Sequence, residues 1–213
     1  MGSATGILAL SVVLGTSYLW ILPREKTMLR AVWKTLPVLL LSVYALAVGA
    51  HPLLALALFL GALGDLSLAF DGDPAFIRGV GAFLLSLVAY ITLLAGISDP
   101  SLPLTEPWRL AAGLTVAGFT CCVLSRIWRS AGRMALPIGF YVLVFMVLVW
   151  LTLGLADPLV LVGAALFILS DVILTIRKYA TGPGHPVDRM AAVVVWVTYY
   201  VAQLILTLTL SRV

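Results

Sequence analysis

Eight apolar runs, each long enough to cross a lipid bilayer, leave this chain few choices of fold. They cover roughly Ala4–Leu22, Ala31–Ala50, Leu53–Phe70, Phe76–Ile97, Trp108–Leu124, Met134–Leu155, Leu159–Ile176 and Met190–Leu210. Each holds 17–22 residues, close to the roughly 20 that a helix needs to span a hydrocarbon core. Lipid offers no partner to open backbone groups, so runs of this kind must be helices. Only 10% of the residues are charged, against about 25% in soluble domains. The pattern predicts an all-α, polytopic membrane protein with eight transmembrane helices in a single domain, residues 1–213. Helix breakers fall between the runs: Pro23, His51-Pro52, Asp73-Pro74, Asp99-Pro100, Pro103, Glu106-Pro107, Asp157-Pro158 and Gly182-Pro183-Gly184. Pro37 and Pro137 are read as lying in the first turn or two of their spans, where proline is best tolerated.

Charge orients the chain. Of its 13 Lys and Arg residues, all but Arg109 and Arg212 lie in the loops after spans 1, 3, 5 and 7 or in the first turn of the span that follows. Such a bias predicts odd-numbered loops in the cytoplasm and both termini on the non-cytoplasmic side. The tight loops suit a bacterial inner membrane. The basic residues flank spans rather than forming a nucleic-acid patch, so membrane lipids are the expected surroundings and nucleic acid is not an expected partner. The first span has no basic flank before it and does not read as a cleavable signal. Tyr18, Trp20, Trp33, Trp108, Trp150 and Trp196 lie mostly near span ends and read as interfacial belt residues. Cys121 and Cys122 are adjacent, cannot form a normal disulfide with each other, and read as small core residues. His51 and His185 fall in loops on opposite sides of the membrane and read as solvated. No His/Cys/Asp cluster suggests a metal, and no cofactor is implied. Oligomeric state leaves no signal.

Two aspartates interrupt this apolar pattern. Asp65 follows Gly64 within Leu58–Phe70, and Asp171 follows Ser170 within Leu166–Ile176. A charged side chain at helix centre costs about 2.5–3.5 kcal/mol on insertion scales, so its default reading is functional. The alternative is a carboxyl that only links helices. Each Asp comes 12 residues after its span begins, about 18 Å along a helix. The two stretches, 106 residues apart, suggest a parallel four-plus-four internal repeat. Spans 3 and 7 would then meet at its axis. Thr175 lies four residues after Asp171 on the same helical face. Span 4 offers Ser86 and Tyr90. Span 8 offers Thr198, Tyr199, Tyr200 and Gln203, the last being the chain's only Gln. A buried amide wants a partner, which makes Gln203 either a site residue or interhelical glue.

The motifs Lys34-x-x-Pro37, Leu63-Gly64-Asp65-x-x-Leu68 and Phe76-x-x-Gly79-x-x-x-Phe83 resemble those of the lysoplasmalogenase (YhhN-like) family. So do Pro137-x-x-x-Tyr141, Phe167-x-x-Ser170-Asp171-x-x-Leu174 and Tyr200-x-Ala202-Gln203-Leu204. The resemblance runs from about Lys34 to Leu204, and the paired Asp motifs are its most specific part. One position departs: relatives tend to carry His three residues before the tyrosine matching Tyr90, where this chain has Leu87. The resemblance implies a membrane enzyme that hydrolyses the vinyl-ether bond of a lysoplasmalogen. The products would be a fatty aldehyde and glycerophospho-ethanolamine or -choline. Asp65 and Asp171 would be catalytic, and Lys34, Tyr90 and Tyr141 would face the lysophospholipid substrate.

The chemistry suits these residues. Protonation of the outer alkene carbon gives an oxocarbenium ion, water adds, and the hemiacetal collapses. The slow step needs a proton donor and a negative group, much as in glycosidase carboxyl pairs. Two carboxyls in different environments can divide that work, one protonated and one ionised. They would titrate as a coupled pair, and the sequence does not say which is which. Tyr200 and Gln203 are candidates to position substrate or water. Arg177 and Lys178, just past span 7, are candidates to hold the lipid phosphate, or are only topology signals. No G-x-S-x-G elbow supports acyl chemistry. Paired intramembrane carboxyls also serve proton-coupled transport, the alternative function, or merely tie a scaffold together.

Overall fold

The computed structural model of the chain describes residues 2–178 and 188–212, without the side chains of Ser130 and Arg133; His185 lies outside the described residues. Every regular element among them is helical: α1 (Gly2–Ile21), α2 (Met28–Ala47), α3 (Pro52–Leu68), α4 (Asp73–Ala95), α5 (Leu102–Thr105), α6 (Pro107–Ala131), α7 (Ala135–Leu153), α8 (Leu159–Ile176) and α9 (Asp188–Leu210). A 3₁₀ turn, Gly132–Met134, joins α6 to α7. All but the four-residue α5 match the eight predicted spans. Seven are long and apolar enough to cross a membrane, and α3 is a shorter apolar helix of 17 residues. Large apolar side chains such as Trp20, Leu104 and Leu136 stand uncovered by protein, the surface expected where the solvent is lipid rather than water.

Contacts divide the chain into two compact units, Met1–Leu93 with Leu206–Val213, and Leu94–Ile205. In the first unit, α1 packs on α2 and α2 on α3. Buried hydroxyls bridge neighbouring helices. Ser11 donates to the Pro37 carbonyl at 2.7 Å, Ser42 to that of Ala55 at 2.7 Å, and Ser86 to that of Ala57 at 2.7 Å. Such bonds hold helices together where the hydrophobic effect cannot. His51 begins α3, its Nδ1 accepting the Leu53 N–H. Gly49, at φ +74°, ends α2 in the left-handed conformation that suits glycine.

In the second unit α6, α7 and α8 pack against one another. Arg109, 5% exposed, clamps the start of α6 to the end of α7. Its Nη1 donates to the carbonyls of Leu153 (2.9 Å) and Leu155 (2.6 Å). Its Nε donates to Glu106 at 2.9 Å. The Arg109 donor, and then that of Trp108, hold the Glu106 carboxyl below the usual carboxylate range. That contribution is therefore present at neutral pH and is lost only as pH falls through the lowered value. Arg109→Met is expected to lower unfolding free energy by at least about 2 kcal/mol, because two buried carbonyls lose a charged donor. Denaturation in micelles would check it, and an unchanged midpoint would remove Arg109 from the fold's supports. A chain of ring contacts joins α7, α8 and α9 through Tyr141, Phe145, Phe167 and Tyr199.

The helices and aromatic residues depart from the sequence pattern at several positions. Helix α6 continues past Leu124 to Ala131, because Ile127 and Ala131 keep a buried stripe while Arg126 and Arg129 point outward. Helix α2 starts at Met28, which puts Pro37 inside it rather than near its start. Pro137 does fall in the first turn of α7. Cys121 and Cys122 are exposed, not core. Of the supposed belt residues, Tyr18 and Trp196 are buried, and Trp33 donates to Ser17 at 3.1 Å. Trp20, Trp108 and Trp150 are exposed as expected.

Candidate functional site

Asp65 belongs to the first unit and is 2% exposed. Gly64 explains how a helix can approach so closely there: a Cβ at that position would meet the Phe83 ring of α4 at 2.8 Å. The acidic group faces Lys34 of α2, whose Nζ lies 3.2 Å from Oδ1 and 3.4 Å from the Asp65 carbonyl oxygen. Lys34 is partly exposed, with 17% of its side chain uncovered. Tyr18 of α1 hydrogen-bonds Arg30 and lies within electrostatic reach of Asp65 and Lys26. Lys26 in turn pairs with Asp71. Tyr90 and Leu87, both on α4, are fully buried.

Asp171 belongs to the second unit. Here the preceding small residue, Ser170, is buried and donates to the Val195 carbonyl of α9 at 3.2 Å. Tyr141 of α7 donates its hydroxyl to Asp171 Oδ2 at 2.6 Å, a short bond between a phenol and a carboxyl group. Thr175 donates to the Asp171 carbonyl at 2.7 Å. Both groups line a cleft between α6, α7 and α8 with about 440 Å³ of empty space, counting its open mouth. Its walls are otherwise almost entirely apolar, with Ile138, Val142, Phe145 and Ile168 among them. Thr120 and Thr175 also line it, but their hydroxyls turn to carbonyls of their own helices. The reactive chemistry on the wall is thus the carboxyl and the phenol.

The two acidic sites are built alike but partnered differently. Each Asp takes its partner from the preceding helix, 31 residues earlier for Lys34 and 30 for Tyr141. One partner is a cation and the other a neutral phenol, so the acidic motifs match while their surroundings do not. The ion pair fixes opposite charges at Asp65. The phenol leaves Asp171 beside a group that gives or takes a hydrogen bond without fixed charge.

Of the other predicted site residues, Tyr200 is buried and stacks on Trp196 at 5.7 Å. Gln203 is fully buried in α9. Arg177 is engaged by Asp188 of α9 through Nε (2.9 Å) and Nη2 (2.8 Å), while Lys178 is exposed at the end of α8. Sequence reasoning missed Tyr18 and Arg30 as neighbours of the Asp65 site. In the sequence Tyr18 reads as a belt residue and Arg30 as a topology signal. A hint existed in Arg30 and Lys34, spaced i, i+4 on one face of α2.

A model of the YhhN family matches residues 29–210. A human protein named lysoplasmalogenase TMEM86B is 32% identical over 198 residues, covering 91% of this chain and 80% of the relative. A pig protein of the same name is 30% identical over 200 residues, with the same shares covered. A Mycobacterium tuberculosis protein named lysoplasmalogenase is 29% identical over 174 residues, 76% of this chain. The chain spans 64% of that mycobacterial relative's length. No solved structure matches.

Proposed function

Since this chain belongs to the YhhN family, we propose that it is a membrane hydrolase that cleaves the vinyl-ether bond of lysoplasmalogens. The products are a fatty aldehyde and glycerophospho-ethanolamine or -choline. The observation that carries the reading is the Asp171 carboxyl, held by Tyr141 on the wall of an apolar cleft. A vinyl ether is reached from the hydrocarbon phase and needs a proton at carbon, and this cleft offers an acid among apolar walls.

Asp171, in its protonated form, gives its proton to the outer alkene carbon. The alkene π electrons form the new C–H bond, and the ether oxygen shares the positive charge. Water adds to the oxocarbenium carbon and returns a proton to Asp171. The hemiacetal then breaks its C–O bond, yielding aldehyde and glycerol hydroxyl, so one water is consumed and the acid is regenerated. Asp65, ion-paired to Lys34, is proposed as the ionised carboxyl. Tyr141 positions Asp171. Tyr90, Tyr200 and Gln203 are proposed to shape the substrate's surroundings, and Lys178 with Arg177 to face its phosphate. The distribution of Lys and Arg supports odd-numbered loops in the cytoplasm and both termini on the other side, and the tight loops suit a bacterial inner membrane.

The test is incubation of the purified protein in nanodiscs with 1-alkenyl lysophosphoethanolamine, with aldehyde release followed by a coupled dehydrogenase. Aldehyde formed in step with substrate loss is expected, and unchanged substrate would end the proposal. Tyr141→Phe is expected to lower kcat about 10- to 100-fold, the loss of one hydrogen bond to a charged group worth about 1.5–3 kcal/mol. KM should hold. An unaltered kcat would take Tyr141 out of the mechanism.

A further inference from the structure

Resting on the vinyl-ether reading above, we infer that the cleft between α6, α7 and α8 binds the substrate in one direction. The hydrocarbon chain lies along Thr120, Phe145 and Ile168, and the phosphate lies toward Lys178. The cleft has two arms. Residues 168, 171 and 175 of α8 all line it, so it extends about one helical turn, some 5 Å, to either side of the acid. The arm toward the start of α8 is walled by Thr120, Phe145 and Ile168, each at least 96% buried. Thr120 shows that arm no free hydroxyl, because it donates to Val116. The other arm passes Thr175 and Ile138, and Lys178 follows Thr175 by three residues, close to one helical turn.

Along α8 the chemistry therefore runs from apolar wall, to carboxyl with phenol, to cation. A lysoplasmalogen has the same order: hydrocarbon, vinyl ether, glycerol, phosphate. The spacing agrees. Lys178 comes seven residues after Asp171, about 10 Å along a helix, and its flexible stem shortens that gap. From the ether oxygen to phosphorus are five bonds of about 1.5 Å each, an extended reach of about 6 Å. A bilayer phospholipid tail has no group for the carboxyl. A lysolipid entered head first toward Thr120 would set its phosphate against an apolar wall.

The experiment measures kcat/KM for a long-chain and a short-chain 1-alkenyl lysophosphoethanolamine. It also measures binding of their 1-alkyl analogues, which have no alkene to protonate. Thr120→Leu fills the chain arm. It is expected to cut the long-to-short preference about 4- to 15-fold, the displacement of one or two buried methylenes. Ile168→Ala opens the same arm and is expected to move the ratio the other way. Lys178→Ala is expected to weaken the phosphate-bearing analogue about fivefold and to leave 1-alkylglycerol unaffected. If the parent cleaves substrate but neither arm variant moves the ratio, the direction of binding is wrong and the hydrolase reading stands. If the parent cleaves nothing while Thr120→Leu still changes analogue binding by chain length, the hydrolase reading fails and the groove assignment stands. If neither cleavage nor chain-dependent binding is seen, both fall.

Discussion

Asp171→Asn is expected to abolish aldehyde release while leaving the helices folded. The substitution keeps the side chain's size, and its amide oxygen can still accept the Tyr141 hydroxyl now given to Oδ2 at 2.6 Å. Ser170 and Thr175 bond through groups that the change does not touch. What disappears is the acid. General acid catalysis contributes about 10²- to 10⁴-fold, and protonation at carbon is the step with no alternative donor on this wall, since the phenol is a far weaker acid. The loss should fall on kcat, with analogue binding retained, because the cleft's apolar walls are unchanged. Asp65→Asn, at the other proposed catalytic carboxyl, is expected to lower activity as well. Aldehyde release should be measured beside a melting curve for each variant. Parent-like turnover in Asp171→Asn would end carboxyl catalysis at this position.

The eight long helices were legible because lipid imposes one rule on every residue: the backbone must bond to itself. Where that rule weakens, an apolar window stops short of the helix. Helix α6 outruns its apolar window to Ala131 because beyond it only one stripe, with Ile127 and Ala131, stays covered. The acidic positions were legible from their expense, and the small residue before each has its reason in packing, Phe83 against Gly64 and the Val195 carbonyl against Ser170. Their partners were not. Lys34 reads equally well as a topology signal, and Tyr141 as one apolar-run tyrosine among several. The ion pair depends on Asp65 of α3 facing α2, and the phenol bond on Asp171 facing α7. Periodicity gives each helix a face but not the neighbour that the face meets. Leu87 is a case where sequence and structure converge: it is fully buried on α4, so the position is filled by packing rather than by a titratable ring.

Lys34→Met is expected to be among the most destabilising single changes in this chain, and the second change Asp65→Asn is expected to reverse most of the loss. The physical reason is an asymmetry within the ion pair. Asp65 is 2% exposed, whereas Lys34 keeps 17% of its side chain uncovered. Removing the cation leaves the buried carboxylate without its ammonium, a loss of about 3–5 kcal/mol when one partner of a buried pair is deleted. Removing the anion is milder, because a lysine's long stem lets its ammonium reach outward to polar surroundings. Replacing both charges removes the imbalance, and buried pairs exchanged for uncharged groups of similar volume are often near neutral. Denaturation in micelles of the parent, both single variants and the double variant gives the coupling directly. The expected order is parent and double variant highest, Asp65→Asn intermediate and Lys34→Met lowest. A double variant as unstable as Lys34→Met would mean that Lys34 supports the fold by packing its stem, and that the charge on Asp65 is balanced by something other than this ammonium.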